Sequence, residues 1–331
     1  MPPSADEFVL AGGTLQARRR LVQGGFFVLF VLAPVFDLFR LDLDLGHFIF
    51  FGMDWTLGLD ALIAGEITPL EAGGNIILRG FLPIAGIVGG VIWVSFKYGR
   101  LYCGWLCPHF SVVETLNRLT RRAIGKHSVW DKDVLPVQDK GAEAIPRHPG
   151  WWIVLLPLAL AFAFVWATVL LTYLLPPMEI YSNLWHGTLT RNQALFIGVG
   201  TGLFLIEFTL ARHLFCRFGC AAGLFQSLAW MANRKALVVS FDRNLSSACQ
   251  DCTSACDNAC PMRLKPRTIK RHMFSCTQCA SCISACRDAQ ADGPHGVPLQ
   301  WQSGIPALDK SDREQARRSA PARRIIPLME A

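Results

Sequence analysis

The stretch that decides the architecture is CQDCTSACDNACP, Cys249–Pro261, followed within a few turns of chain by CTQCASCISAC, Cys276–Cys286. Thiols this dense serve as disulfide staples, as zinc ligands, or as the cage of an iron–sulfur centre. The spacing separates these. The first run reads C-x2-C-x3-C-x3-C-P and the second C-x2-C-x2-C-x3-C. The second is the spacing of bacterial ferredoxins, in which three close thiolates wrap three corners of a cubane and the fourth crosses to the other cluster. That crossover assigns Cys249, Cys252, Cys256 and Cys286 to one [4Fe-4S] cluster. It assigns Cys276, Cys279, Cys282 and Cys260 to a second.

Two departures stand out. Arg287 follows Cys286 where proline is usual, and the first run carries one extra residue between its second and third cysteines. The extra residue implies either a bulged loop or a three-iron or degenerate cluster at that site. Zinc is the competing reading, since paired C-x2-C motifs also build all-cysteine zinc sites. Two tight four-cysteine runs ending x3-C favour iron–sulfur.

Outward from the thiols, the composition points to a membrane. Of 331 residues, 52% are hydrophobic and only 17% charged, and the mean hydropathy is +0.32. A soluble domain of this length is more polar. Four segments are long and apolar enough to span: 21–39, 76–96, 151–175 and 194–212. The stretch 41–75 between the first two carries six acids and no Lys or Arg, whereas ARRR at 17–20, the linker 97–150 and the C-terminal region are basic. The positive-inside rule puts both termini in the cytoplasm, and hence the thiols in a reducing compartment that disfavours disulfides. The net charge of +7 is explained by this topology and calls for no nucleic-acid partner. No cleavable signal peptide is expected. Trp55, Trp151, Trp152, Tyr173, Tyr181 and Trp185 fall near span ends as an interfacial belt. Gly86/Gly90 and Gly198/Gly202 form G-x-x-x-G pairs suited to close helix packing. GVGTG at Gly198 lies inside an apolar run with no preceding strand and is no nucleotide loop.

An internal repeat closes each pair of spans: YCGWLC at Tyr102 and FCRFGC at Phe215, each running into a short amphipathic stretch. If the hairpins pack side by side, Cys103, Cys107, Cys216 and Cys220 converge on a further cluster or on a soft metal such as Cu(I). The bland alternative is burial of small apolar side chains, which does not explain one spacing appearing twice. His109 and His213 lie close enough to add ligands, though an interfacial hydrogen-bonding role is simpler. Glu207, ionisable inside the fourth span, is the candidate catalytic group for proton or quinone chemistry, unless it pairs with Arg212. Asp37 and Arg40 read as interfacial.

The expected fold is therefore a mainly α membrane protein: four transmembrane helices in two tandem hairpins plus a small α+β bacterial-ferredoxin-like domain. Residues 1–20 form a cytoplasmic arm, 21–235 the transmembrane domain, 236–290 the ferredoxin-like domain and 291–331 a loose tail. The expected cofactors are two [4Fe-4S] clusters, with a further metal or cluster at the membrane-edge cysteines.

This combination resembles the membrane-bound polyferredoxins, which include the RdxA/FixG/CcoG-type oxidase accessory proteins and the NapH/NosR-type electron-transfer proteins. YCGWLCPHFSVVE, Tyr102–Glu114, looks like the first C-x-x-x-C-P element of that family. FCRFGCAAGLFQSLAWMANRKALVVSFDRN, Phe215–Asn244, looks like the second, although Ala221 stands where the family has proline. The extra C-terminal domain of the FixG type is not expected. The resemblance implies a bacterial-type inner membrane and single-electron transfer between a quinol or redox partner and an acceptor. Its alternative is a copper-reducing assembly factor for a haem–copper oxidase; a non-redox zinc scaffold is the third reading.

Overall fold

The computed structural model describes residues 12–291 and 296–308. The chain is mostly helical. α1 (Gly12–Leu32) leads to a three-stranded antiparallel sheet of β1 (Phe39–Asp42), β2 (His47–Phe50) and β3 (Met53–Trp55). The sheet occupies the acidic connection that carried no strand expectation. Arg40 bonds both Asp37 and Asp42 at 2.5 Å, so these residues tie the sheet rather than meeting headgroups singly.

Two short helices, α2 (Leu59–Ile63) and α3 (Pro69–Asn75), follow. α3 starts at a Thr68/Glu71 capping box, which satisfies two orphan N–H groups. It continues through a π turn, Ile76–Phe81, into α4 (Leu82–Tyr98). α5 (Leu101–Trp105) and α6 (Pro108–Ile124) carry the first C-x-x-x-C element. After the linker come α7 (Trp152–Thr172), α8 (Pro177–His186) and α9 (Arg191–Ile206). α9 runs into π turns at Glu207–Ala211 and Phe215–Gly219, and α10 (Ala221–Ala232) completes the second element.

Among the described residues, three helical segments are long and apolar enough to cross a bilayer: Pro69–Tyr98, Pro149–Thr172 and Arg191–Ala211. The first expected span, 21–39, is helical only to Leu32 and then turns into β1. Pro34 lacks the N–H that another helical turn would use. α1 nevertheless lies along α7: Phe27 meets Phe162 and Trp166, Phe30 meets Trp166, and Tyr173 donates to the Phe30 carbonyl. α7 and α9 pair as the second expected hairpin, but α4 packs mainly on α10 rather than closing a first hairpin with α1. The close approach of α7 and α9 is at Gly200, where a Cβ would stand 3.1 Å from that of Ala167. Both G-x-x-x-G pairs face open space within this chain.

The lobe that follows contains β4 (Val238–Phe241), α11 (Ala255–Asn258), α12 (Ser281–Ala289) and β5 (Leu299–Gln302), with β4 and β5 antiparallel. β5 belongs to the segment expected as loose tail. Its Leu299 is buried in the lobe core and explains why this stretch is held. Residues 309–331 of that tail lie outside the described residues. One buried core joins the lobe to the membrane edge, running from Phe110, Cys216 and Trp230 to Cys260, Cys276, Cys282 and Cys286.

Candidate functional site

The two cysteine runs of the lobe fold alike. In each, a left-handed residue (Ser254, φ 61°; Ala280, φ 57°) turns the chain into a helix whose second residue is the third cysteine, Cys256 or Cys282. Counted back from that turn, the extra residue of the first run is Thr253. Its hydroxyl donates to Asp139 at 3.0 Å, and Asn258 donates to the same oxygen at 2.8 Å. The bulge is thus absorbed by the linker, which also delivers His127 to the Asn258 carbonyl at 2.7 Å and Asp131 to Arg263 at 3.2 Å. A basic connection in sequence is a brace in space.

The thiols sort by neighbourhood. Cys260, Cys276, Cys279 and Cys282 line one cavity, walled otherwise mainly by Val239, Met262, Leu264 and Met273. Burial pushes the Cys260 thiol up to about 12, and the nearby Cys279 and Cys276 push the same way. Cys286 lies instead within electrostatic reach of Cys249 and Cys252; burial chiefly, then those neighbours, raise it to about 11. Cys256, raised to about 12 by burial and then Asp257, also feels Cys286. The geometry therefore brings each fourth cysteine to the other run.

A third set forms at the membrane edge. Cys107 lies within reach of Cys103 and Cys220, and Cys216 within reach of Cys107 and Cys103. Cys107 and Cys220 are the N-caps of α6 and α10, so the repeat is structural as well as sequential. Backbone N–H groups of Phe110 and His109 point at the Cys107 sulfur. Burial still raises that thiol to about 11 and pushes the Cys216 thiol up as well. Thiols so disfavoured as free anions would ionise when a cationic centre ligates them, releasing their protons to solvent.

Among the described residues, no three His, Cys, Asp or Glu side chains converge as a single metal ion requires. Four sulfurs about 2.3 Å from one zinc would lie within about 4 Å of each other. Thiolates on the corners of a cubane stand farther apart. The donor sets, all-cysteine and apolar-walled, fit iron–sulfur clusters.

Glu207 begins a π turn and meets His109, not Arg212: His109 Nε2 is 3.2 Å from Glu207 Oε1. Arg212 instead donates to Thr120, the His127 carbonyl and the Phe208 carbonyl. His109 sits among Trp166, Phe208 and Phe215. His213 is buried close to the second element.

Two arginines escaped the sequence reading. Arg19, counted as a topological charge, is buried and bonds Glu114 and, at 3.1 Å, the Gly104 carbonyl. On the same face of α1, Gln16 donates to the Cys279 carbonyl and Gln23 to the Gly104 carbonyl, each at 3.2 Å. Arg100, 1% exposed, donates to the Cys216 carbonyl at 2.6 Å. The repeat held a signal for it: RLYC and HLFC align, placing Arg100 and His213 at one offset.

The fold and its thiol sets define a membrane-associated protein of the iron–sulfur class. Comparison with known proteins makes this particular. The family described as a 4Fe-4S binding domain, Fer4_5, matches residues 80–127. The putative electron transport protein YccM of Escherichia coli K12 is 21% identical over 68% of this chain, and the matched region spans 57% of YccM. The ferredoxin-type protein NapH of Escherichia coli K12 is 22% identical over 69% of this chain and 73% of NapH. An uncharacterized protein of Methanocaldococcus jannaschii, MJ0750, is 22% identical over 60% of this chain and 73% of its own length. No solved structure matches. These likenesses support a membrane-bound polyferredoxin-like family for the chain.

Proposed function

We propose that this chain is a membrane-anchored electron-transfer protein with its cysteine-rich lobe on the cytoplasmic face of an inner membrane. One [4Fe-4S] cluster would be held by Cys249, Cys252, Cys256 and Cys286, the other by Cys276, Cys279, Cys282 and Cys260. Bound there, such clusters supply reversible one-electron storage. The chain's own part is to seat them, exclude water and set their potentials through burial and hydrogen bonds. The observation that carries the reading is Cys260 in the same cavity as Cys276, Cys279 and Cys282. The names of YccM and NapH point the same way.

α1 is a fourth span in this reading, because its Phe27 and Phe30 run beside α7 toward Tyr173. Electrons would come from a quinol or a membrane redox partner and leave to an acceptor. Glu207, half-buried at the end of a helix of the bilayer, would take a proton from a quinol donor. Neither copper reduction nor a zinc scaffold is better supported by the relatives, whose printed names are those of electron-transport and ferredoxin-type proteins.

The test is iron, labile sulfide and EPR on anaerobically purified full-length protein. At least two cubanes' worth of iron, about 8 atoms, with reducible signals supports the reading; iron-free protein carrying zinc removes it.

A further inference from the structure

The Fer4_5 match covers residues 80–127, and the only cysteines in that range are Cys103 and Cys107. A cubane takes four thiolates, and the eight of the lobe already divide into two fours. The structure supplies the missing pair, since Cys216 and Cys220 approach Cys103 and Cys107.

Two features at this place call for an anionic occupant. First, the N-termini of α6 and α10, helices of 17 and 12 residues, both begin at a cysteine of the set. Helix N-termini favour negative charge through their unpaired N–H groups. Second, and independently, Arg100 is a fully buried cation that lies beside Cys103, and its Nε and Nη1 have no hydrogen-bond partner. A buried guanidinium left so incompletely paired is costly unless a counter-charge faces it. Gly223 of α10 makes room for it: a Cβ there would come within 2.1 Å of Arg100 Nη2. A cluster held by four thiolates is net anionic, which meets both features.

We propose that Cys103, Cys107, Cys216 and Cys220 hold a third [4Fe-4S] cluster at the membrane edge, with Arg100 as its buried counter-cation. It deepens the electron-transfer reading and rests on it. The position suits a first centre inward from the bilayer. Trp105, two residues after Cys103, donates to the Gln278 carbonyl at 3.0 Å, and Gln278 lies between Cys276 and Cys279.

The experiment uses full-length protein in detergent, purified anaerobically and reconstituted with iron and sulfide. Native protein should carry about 12 irons, four per cubane, and the double variant C216S/C220S about 8 with the lobe signals retained. Arg100→Met should lower the reduction potential of one centre only, and Arg100→Lys should restore it. A native count of about 8, unchanged in C216S/C220S, overturns the proposal and leaves the two-cluster reading standing. One copper per chain, lost in C216S/C220S at constant iron, also overturns it. Iron-free native protein sinks both readings. An R100M spectrum and potential identical to native removes Arg100 from its role.

Discussion

A methyl group on Gly104 would stand 2.2 Å from the carbonyl oxygen of Thr277. Gly104 is the residue after Cys103, and Thr277 the residue after Cys276, so the membrane-edge motif and the lobe motif touch backbone to backbone. The glycine is required by this approach and not by its own conformation. Gly104→Ala should therefore destabilise the protein by about 2 kcal/mol or more through a forced backbone shift. The change would be read as a lower melting temperature and faster proteolysis between α10 and the lobe. A melting temperature equal to native would show that the contact yields freely.

The crossing of the fourth cysteines can be tested residue by residue. Cys260→Ser should perturb the centre held by Cys276, Cys279 and Cys282, while Cys286→Ser should perturb the one held by Cys249, Cys252 and Cys256. Cluster-selective EPR of the two variants separates this pattern from a sequential one, in which each variant damages the cluster of its own run. The sequential pattern would falsify the assignment.

Acid should loosen the linker brace. Burial lowers His127 to about 4, against an ordinary value of about 6.5, with the Asn258 carbonyl only partly opposing. The unfolded chain then binds the proton more readily than the folded one between those values. Stability from this site is fully present above pH 6.5 and lost as pH falls toward 4, amounting to about 3 kcal/mol in all. His127→Gln should flatten the pH dependence of unfolding across that window. An unaltered slope would mean that His127 protonates equally in both states.

Glu207→Gln keeps the shape of the His109 contact and removes the charge. Quinol-driven reduction of the clusters should slow by about 10²-fold or more if Glu207 accepts the proton. Reduction by dithionite, which needs no proton acceptor, should be unchanged. Equal slowing with both reductants points to a structural role alone.

Much of this was legible in sequence because it is local. The thiol spacings, the apolar runs at 76–96, 151–175 and 194–212, and the two C-x-x-x-C elements are patterns within one turn or one helix. The three-stranded sheet was not legible, because its short strands are held by pairing and by Arg40 between Asp37 and Asp42. Nor was strand β5, whose partner β4 lies far back in the chain. Arg19 read as a topological charge because nothing nearby in sequence announces Glu114. Glu207 drew attention as an acid in a span, but its partner, His109, arrives from α6.

The sequence by itself determined the chemistry on offer: which thiols exist, how closely each run is strung, and that apolar helices carry them. Tertiary structure alone decided the company they keep. Cys260 sits with the second run, four cysteines from two distant elements share the membrane edge, and Arg100 lies buried against them. Spacing along a chain is fixed by covalent geometry, whereas neighbours across it are chosen by whatever packing buries the most apolar surface and leaves the fewest charges unpaired.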